Sequence, residues 1–68
     1  MLVKVNGEIE HIDKTTNIAM FLSNHLNGKI SNGIAIAKNG VIILRSKWEE
    51  TQIMENDELE IVHAVQGG

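Results

Sequence analysis

Four short segments rich in β-branched residues occur along the chain in two pairs, residues 2–5 with 8–12 and residues 34–37 with 41–44. An Asn-Gly dipeptide separates the two members of each pair, Asn6-Gly7 in the first and Asn39-Gly40 in the second. Asn-Gly tolerates the positive φ angles that a two-residue turn requires. The pattern therefore predicts two β-hairpins.

Between the hairpins, apolar residues recur at the spacing of one helical face, at Ile18, Phe21, Leu22 and Leu26. Either Thr16 or Asn17 can cap the start of this helix. Asn27-Gly28 follows directly, and a glycine there can adopt the left-handed conformation that ends a helix. One amphipathic helix is therefore predicted between the two hairpins.

The last third of the chain predicts one more turn of helix and one more strand. Residues 45–51 are polar except for Trp48 and predict a single helical turn, with Ser46 as a candidate cap. Residues 55–57 predict a turn. Residues 58–65 begin with alternating polar and apolar positions and then become mostly apolar, which predicts a long final strand.

This order of elements predicts an α+β fold in which a mixed sheet of about five strands packs on one helix. Residues 1–65 form the predicted domain, and residues 66–68 remain outside it as a flexible Gly-Gly tail. The predicted core consists of Val3, Val5, Ile18, Leu22, Leu26, Ile34, Ile36, Leu59 and Ile61.

Composition limits the source of stability and the class of partner. With 68 residues and no cysteine, the chain depends on apolar packing, for which its 43% apolar residues suffice. A net charge of -3 has the wrong sign for binding phosphates, so nucleic acid is not expected as a partner. Neither a membrane-length apolar run nor a signal-peptide pattern is found, which predicts a cytoplasmic protein without a membrane partner.

The sequence contains no constellation that predicts catalysis. It has no cysteine, no close histidine pair and no glycine-rich loop, so neither a metal nor a bound cofactor is expected. His11 and His25 are interpreted as surface residues. His63 alternates with Leu59 and Ile61 and is expected to be half-buried and structural. The chain is therefore predicted not to be an enzyme.

Two features allow either a binding or a structural interpretation. Six acidic residues lie between Glu49 and Glu60, where they could steer a basic partner or form a solvated face. Trp48 could anchor a partner or cover the edge of the core. The solvated face and the core position are the simpler interpretations.

Gly67-Gly68 at the end of the sequence is the most informative feature. Glycine makes up roughly 7% of average sequence, so a chance pair at the last two positions has odds of about half a percent. A frayed end is the structural alternative. A glycine pair after a strand also makes a thin segment of backbone that can enter an active site too narrow for a Cβ atom. Such a tail suits the substrate of another enzyme.

The second half of the chain resembles a known family. The resemblance rests on Asn39-Gly40, Arg45-Ser46-x-Trp48, residues 56–62 and residues 64–68, which follow one another in order. These segments resemble ThiS, the sulfur-carrier family of thiamine biosynthesis. The hairpin and helix of the first half fit the ubiquitin-like β-grasp fold of that family, so the resemblance covers essentially the whole chain.

Two positions depart from the family pattern. Family members commonly have a proline where this chain has Leu44, which leaves the bend there open. They also commonly have Asp-Gly-Asp where this chain has Glu55-Asn56-Asp57, and asparagine is the next best residue for a left-handed turn. Neither departure affects the C-terminal glycines.

The resemblance implies a cycle of sulfur transfer in which a ThiF-type adenylating enzyme uses ATP to activate the carboxylate of Gly68. Sulfur from a persulfide on a cysteine desulfurase then converts this terminus to a thiocarboxylate, and thiazole synthase takes the sulfur into the thiazole ring. Gly67 is expected to keep the tail narrow. Gln66, with Ala64 and Val65, is expected to direct the tail into the partner.

The final strand also predicts where the adenylating enzyme docks. Val62 and Ala64 lie on the opposite side of the strand from Leu59 and Ile61, which are assigned to the core. They would therefore leave apolar surface exposed near the tail. We expect this face to contact the adenylating enzyme.

The alternatives are another sulfur carrier, of which the small subunit of molybdopterin synthase is the nearest, and a binding module of another class. The small subunit of molybdopterin synthase shares the fold, the Gly-Gly end and the thiocarboxylate, but lacks the segment from Arg45 to Trp48. A TGS-type β-grasp module, which binds ligands or RNA, shares an Asn-Gly hairpin and an Asn-Asp turn. Such modules do not normally end in Gly-Gly, and an acidic one would bind RNA poorly.

Overall fold

The structure, a computed structural model, describes residues 1–63. The predicted tail and site residues Ala64, Val65, Gln66, Gly67 and Gly68 lie outside the described residues. The described elements are β1 (Leu2–Val5), β2 (Glu8–His11), α1 (Ile18–His25), β3 (Ile34–Lys38), β4 (Val41–Ile42), a 3-10 helix (Arg45–Lys47) and β5 (Glu58–His63).

Both predicted hairpins are confirmed, and their turns have the conformation that Asn-Gly favours. Asn6 and Gly7 have φ angles of 51° and 85°, and Asn39 and Gly40 have nearly the same values, 52° and 85°. Positive φ at both central residues matches the right-handed twist of the flanking strands. The second hairpin is shorter than predicted, because β4 ends at Ile42.

Helix α1 begins and ends where the sequence predicts. Of the two candidate caps, Asn17 is the one used, and its Oδ1 accepts a hydrogen bond of 2.7 Å from the backbone N–H of Met20. At the other end, Asn27 and Gly28 both have positive φ. The N–H of Gly28 donates to the carbonyl of Ser23 at 2.7 Å, which satisfies one carbonyl of the last turn.

The five strands form one mixed sheet in the order β2-β1-β5-β3-β4. Strand β5 is central, and it runs parallel to β1 and antiparallel to β3. In this register Ile36 lies beside Ile61, and Ala35 lies beside Val62. The last residues of the chain therefore follow the central strand of the sheet.

The core lies between one face of this sheet and α1, which confirms the predicted two-layer arrangement. Eight of the nine predicted core residues are buried, whereas Leu26, next to the end of α1, is only partly buried. Sequence reasoning missed Ile53, which is fully buried although it lies in a polar stretch. The buried cluster consists of Val3, Val5, Ile18, Phe21, Leu22, Ile34, Ile36, Trp48, Ile53, Leu59 and Ile61.

The segment after β4 contains a single helical turn, as predicted, but its cap differs. The 3-10 helix follows Leu44 and has no side-chain cap. Ser46 lies inside this turn, so its prediction as a cap is wrong. Trp48 is only 5% exposed, and its indole N–H donates to the carbonyl of Ile43 at 3.0 Å. The tryptophan is therefore part of the core.

The two departures from the family pattern leave the backbone in conformations compatible with the family's residues. Leu44 has φ -62° and ψ 144°, and this φ lies within the range that proline imposes. Asn56 has φ 69°, the left-handed conformation expected for the position where the family commonly has glycine. Leucine and asparagine thus adopt the backbone that the common residues would favour.

Candidate functional site

Strand β5 connects the core to the tail, and its two faces differ sharply. Leu59 and Ile61 are 2% and 7% exposed and pack against α1, whereas Val62 is 48% exposed. Glu58 and Glu60 share the outer face with Val62, because successive side chains alternate across a strand. The prediction that Val62 faces away from the core is confirmed.

The outer face of the sheet brings further apolar residues to Val62. The register places Ala35 of β3 beside Val62, and Ala37 of β3 lies beside Ile42 of β4. Ile42 is 61% exposed. Ala37 is only 8% exposed, so we call the three residues Ala35, Ile42 and Val62 the outer-face patch.

Sequence reasoning identified only Val62 of this patch. Alternation along residues 34–37 could have separated Ala35 from the core residues of β3. Its position beside Val62 depends on the antiparallel register between β3 and β5, which the structure supplies. The patch faces away from α1 and lies on β5, which leads to the tail, and on β3 and β4.

Carboxylates border the outer-face patch on the side nearer the start of β5. Glu60 lies beside Ala37, and Glu58 lies beside Lys4 of β1. Asp57, another of the acidic residues between Glu49 and Glu60, is buried and does not belong to this border. An apolar patch with an acidic border fits a partner surface that is apolar at its centre and basic at its rim.

The two hairpin asparagines hold β5 from both sides. The Oδ1 of Asn6 accepts from the N–H of Ile61 at 2.7 Å, and the Oδ1 of Asn39 accepts from the N–H of Glu58 at 2.9 Å. Each side-chain oxygen accepts a hydrogen bond from a backbone N–H of β5 at the point where the neighbouring strand, β1 or β3, turns away. The strand that precedes the tail therefore keeps its backbone hydrogen bonds beyond the ends of its neighbours.

Asp57 is the buried polar residue at the entry to β5. Its carboxylate accepts from the N–H of Met54 at 2.7 Å and from the amide of Asn39 at 3.0 Å, and the ammonium of Lys38 lies 3.5 Å away. Burial raises the pKa of Asp57, but the hydrogen bonds from Met54 and Asn39 and the charge of Lys38 outweigh it. The pKa of Asp57 is therefore held below its ordinary value.

We expect this cluster to make stability depend on pH in the acid range. A carboxylate whose pKa is lower in the folded state contributes stability above its unfolded pKa, roughly 4, and loses it as pH falls through the folded pKa. Urea unfolding of the unaltered chain should therefore show the free energy of unfolding falling below about pH 4. Asp57→Asn should be less stable at neutral pH and should show a weaker fall.

Asp13→Asn is the control for this prediction, since the side chain of Asp13 is 87% exposed. It should reproduce the pH profile of the unaltered chain. Parallel profiles for the unaltered chain and Asp57→Asn would contradict the assignment of the acid transition to Asp57.

The histidines lie on the surface. His11 and His25 are exposed as predicted, and each lies near a carboxylate, Asp13 at 3.3 Å and Glu10 at 3.8 Å. His63 is exposed, so its prediction as a half-buried residue is wrong. The reason is that β1 turns away after Val5, which leaves this end of β5 flanked by β3 alone. Among residues 1–63 no group of side chains is suited to hold a metal ion.

A concavity lies at the start of β5, at the other end of the strand from the tail. Its volume is about 600 Å³, and it opens between the two Asn-Gly turns. Lys4, Glu58 and Glu60 line it, with no nucleophile paired to a base.

No helix within residues 1–63 has the length and apolar character needed to cross a membrane.

The central strand β5, the single helix packed on the mixed sheet, and the opening Asn-Gly hairpin define a small ubiquitin-like β-grasp protein. A family model named ThiS family matches residues 3–68, and the chain belongs to this family. ThiS proteins are small sulfur carriers of thiamine biosynthesis and not enzymes.

Two solved structures support the fold. The crystal structure of a thiamine biosynthesis protein, ThiS, from Geobacter metallireducens matches with a TM-score of 0.84 at 24% identity, and the match covers 100% of both chains. The solution structure of a thiamine biosynthesis protein from the same organism matches with a TM-score of 0.78 at 24% identity, covering 100% of this chain and 88% of that one. A search of curated proteins found no match.

Proposed function

We propose that this chain carries sulfur as a thiocarboxylate on Gly68 and donates it for formation of the thiazole ring. The observation that carries the proposal is the extent of the family match, which runs through the C-terminal glycines to residue 68. Strand β5 adds a structural argument, because the strand that leads to the tail is central in the sheet and is held by hydrogen bonds from its N–H groups to Asn6 and Asn39.

The proposed chemistry uses the terminus as a substrate. A free carboxylate is a poor electrophile, so a carboxylate oxygen of Gly68 first attacks the α-phosphorus of ATP and releases pyrophosphate. The terminal sulfur of a persulfide then attacks the acyl carbon and releases AMP. A thiol cleaves the resulting acyl disulfide and leaves the thiocarboxylate. The ATP is bound by the adenylating enzyme, and this chain needs no cofactor of its own.

The partners follow from this chemistry. A ThiF-type enzyme performs the adenylation, a cysteine desulfurase supplies the persulfide sulfur, and thiazole synthase accepts the sulfur, all in the cytoplasm. Gly67 keeps the tail narrow, and Ala64, Val65 and Gln66 direct it into the active site of the partner. The outer-face patch, extended by Ala64, is the proposed docking surface for the adenylating enzyme.

Intact-mass analysis tests the carrier function directly. The chain is incubated with the adenylating enzyme, ATP and a sulfur donor, and the expected product has the mass gain of one oxygen replaced by sulfur. Omission of ATP should prevent the gain. If the complete mixture produces no such species, the chain is not a carrier of this kind.

A second experiment tests the destination of the sulfur. The thiocarboxylate form is supplied either to thiazole synthase with its other substrates or to molybdopterin synthase lacking its own small subunit. We expect consumption of the thiocarboxylate only with thiazole synthase. Consumption only with the second enzyme would assign the chain to molybdopterin synthesis, and salt-dependent RNA binding without thiocarboxylate formation would favour the TGS interpretation.

Val62→Asp tests the docking surface. A carboxylate within the outer-face patch should weaken binding of the adenylating enzyme by about tenfold or more, because an unpaired charge would be desolvated in the interface. Melting should change little, since the side chain of Val62 is already half exposed. Titration of the enzyme with each variant gives the affinity.

Val41→Asp is the matched control. Val41 is 62% exposed and lies beside Lys38 on the other face of the sheet, so the substitution adds the same charge away from the patch. It should bind like the unaltered chain. Equal affinity of Val62→Asp and Val41→Asp would exclude the outer-face patch as the docking surface.

A further inference from the structure

The chain contains four Asn-Gly pairs, at residues 6–7, 27–28, 32–33 and 39–40. Asn-Gly is a reactive sequence, because glycine has no side chain to hinder attack of its backbone nitrogen on the asparagine amide. The attack needs an asparagine side chain that is free to rotate and a glycine N–H that can lose its proton. The four pairs differ in whether the folded structure meets these two conditions.

Two of the asparagines have side chains held by the sheet. Both ends of the Asn39 amide are engaged, since Nδ2 donates to Asp57 at 3.0 Å and Oδ1 accepts from Glu58 at 2.9 Å. The Oδ1 of Asn6 accepts from Ile61 at 2.7 Å. Rotation of either amide toward the following glycine would leave a strand N–H without its partner.

The third pair is protected through its glycine. The N–H of Gly28 donates to the carbonyl of Ser23 at 2.7 Å, in the hydrogen bond that ends α1. Removal of this proton would require the helix end to open. Asn27 is also in the left-handed conformation, with φ 54°.

The remaining pair has neither protection. Asn32 is exposed, and its side chain makes no hydrogen bond with any residue from 1 to 63. Within the described part of the chain, the N–H of Gly33 contacts only the hydroxyl of Ser31, at 3.3 Å, beyond the usual range for a strong hydrogen bond. We infer that Asn32 is a site of spontaneous covalent modification, through cyclisation with Gly33 and loss of ammonia.

The reaction needs water alone. The nitrogen of Gly33 bonds to Cγ of Asn32, the Cγ–Nδ2 bond breaks, and the departing amide nitrogen leaves as ammonia with the proton from Gly33. Water then opens the cyclic imide at either carbonyl. Opening at Cγ yields aspartate, and opening at the backbone carbonyl yields isoaspartate with the main chain routed through the side chain. Both products carry one additional negative charge.

The surroundings of Asn32 also tolerate the product. A guanidinium nitrogen of Arg45 donates to the carbonyl of Ser31 at 2.6 Å, so a cation lies beside the backbone of the residue that precedes Asn32. The same change at Asn39 would place a second carboxylate against Asp57 in place of a donor. The folded protein therefore accumulates the modification at Asn32 and resists it at Asn39.

Peptide mapping by mass spectrometry tests this inference on the full chain, incubated at mildly alkaline pH in buffer and in concentrated urea. In urea all four pairs should react at comparable rates. In buffer Asn32 should react at least about tenfold faster than the other three, since each of those must first break a native hydrogen bond. Asn32→Gln should abolish the main acidic product seen by isoelectric focusing.

Either of two results would overturn the assignment. One is reaction of another Asn-Gly pair in buffer as fast as Asn32. The other is an unmodified Asn32 in buffer under conditions where the unfolded chain reacts. Neither result depends on the sulfur-carrier function, because the assay follows the chain by itself.

Discussion

Removal of Gly68 should abolish thiocarboxylate formation while leaving thermal melting almost unchanged. Gly67 would then present the terminal carboxylate one residue short of the required position, and extended chain spans only about 3.3 to 3.6 Å per residue. Catalysis can fail with misplacements as small as about 1 Å. Intact-mass analysis of the reaction with the adenylating enzyme, ATP and a sulfur donor measures the effect.

Gly67→Val is the companion variant, and it separates the effect of the length of the tail from the effect of its width. It keeps the terminus at the required distance but adds a β-branched side chain, which should obstruct a narrow channel. We expect it to bind the adenylating enzyme through the outer-face patch and still fail to gain sulfur. A chain without Gly68 that gains sulfur as well as the unaltered chain would refute the role assigned to the terminus.

Trp48→Ala should cause the largest loss of stability of any substitution considered for this chain. Trp48 is 5% exposed within the core cluster, and Arg45 lies over its ring at 4.6 Å from the centroid. Replacing a buried tryptophan by alanine costs about 3 to 5 kcal/mol, a large part of the 5 to 15 kcal/mol by which domains are usually stable. Thermal and urea unfolding measure the loss.

Trp48→Phe is the control for this prediction. It keeps most of the apolar surface and removes the hydrogen bond to the carbonyl of Ile43, so it should cost much less than the alanine substitution. If Trp48→Ala melts like the unaltered chain but is no longer adenylated, the tryptophan is a partner contact and not a structural residue.

The turns and helix ends show how much local sequence predicts. The Asn-Gly hairpins, the cap at Asn17 and the left-handed Asn56 all depend on the conformational preferences of one or two residues, and each is confirmed. Ser46 was the exception. A serine before a helical turn suggests a cap, but the turn here is a short 3-10 segment that begins two residues earlier than such a cap requires.

The burial of a residue could be predicted from the sequence only where apolar residues recur with the regular period of a strand or a helix. Alternation in β1 and β5 and the helical spacing in α1 identified most of the core. Ile53 lies in an irregular segment without a period, so nothing in its neighbours indicates that the fold buries it completely. His63 follows the alternation of Leu59 and Ile61, yet it is exposed because the neighbouring strand β1 has already turned away.

The sequence by itself determined the order of the elements, the family resemblance and the Gly67-Gly68 terminus, because each is written in consecutive residues. The tertiary structure decided what lies beside β5. The outer-face patch joins Val62 to Ala35 and Ile42, and the buried cluster joins Asp57 to Lys38 and Asn39. These residues are distant in the chain, and only the strand register brings their side chains together.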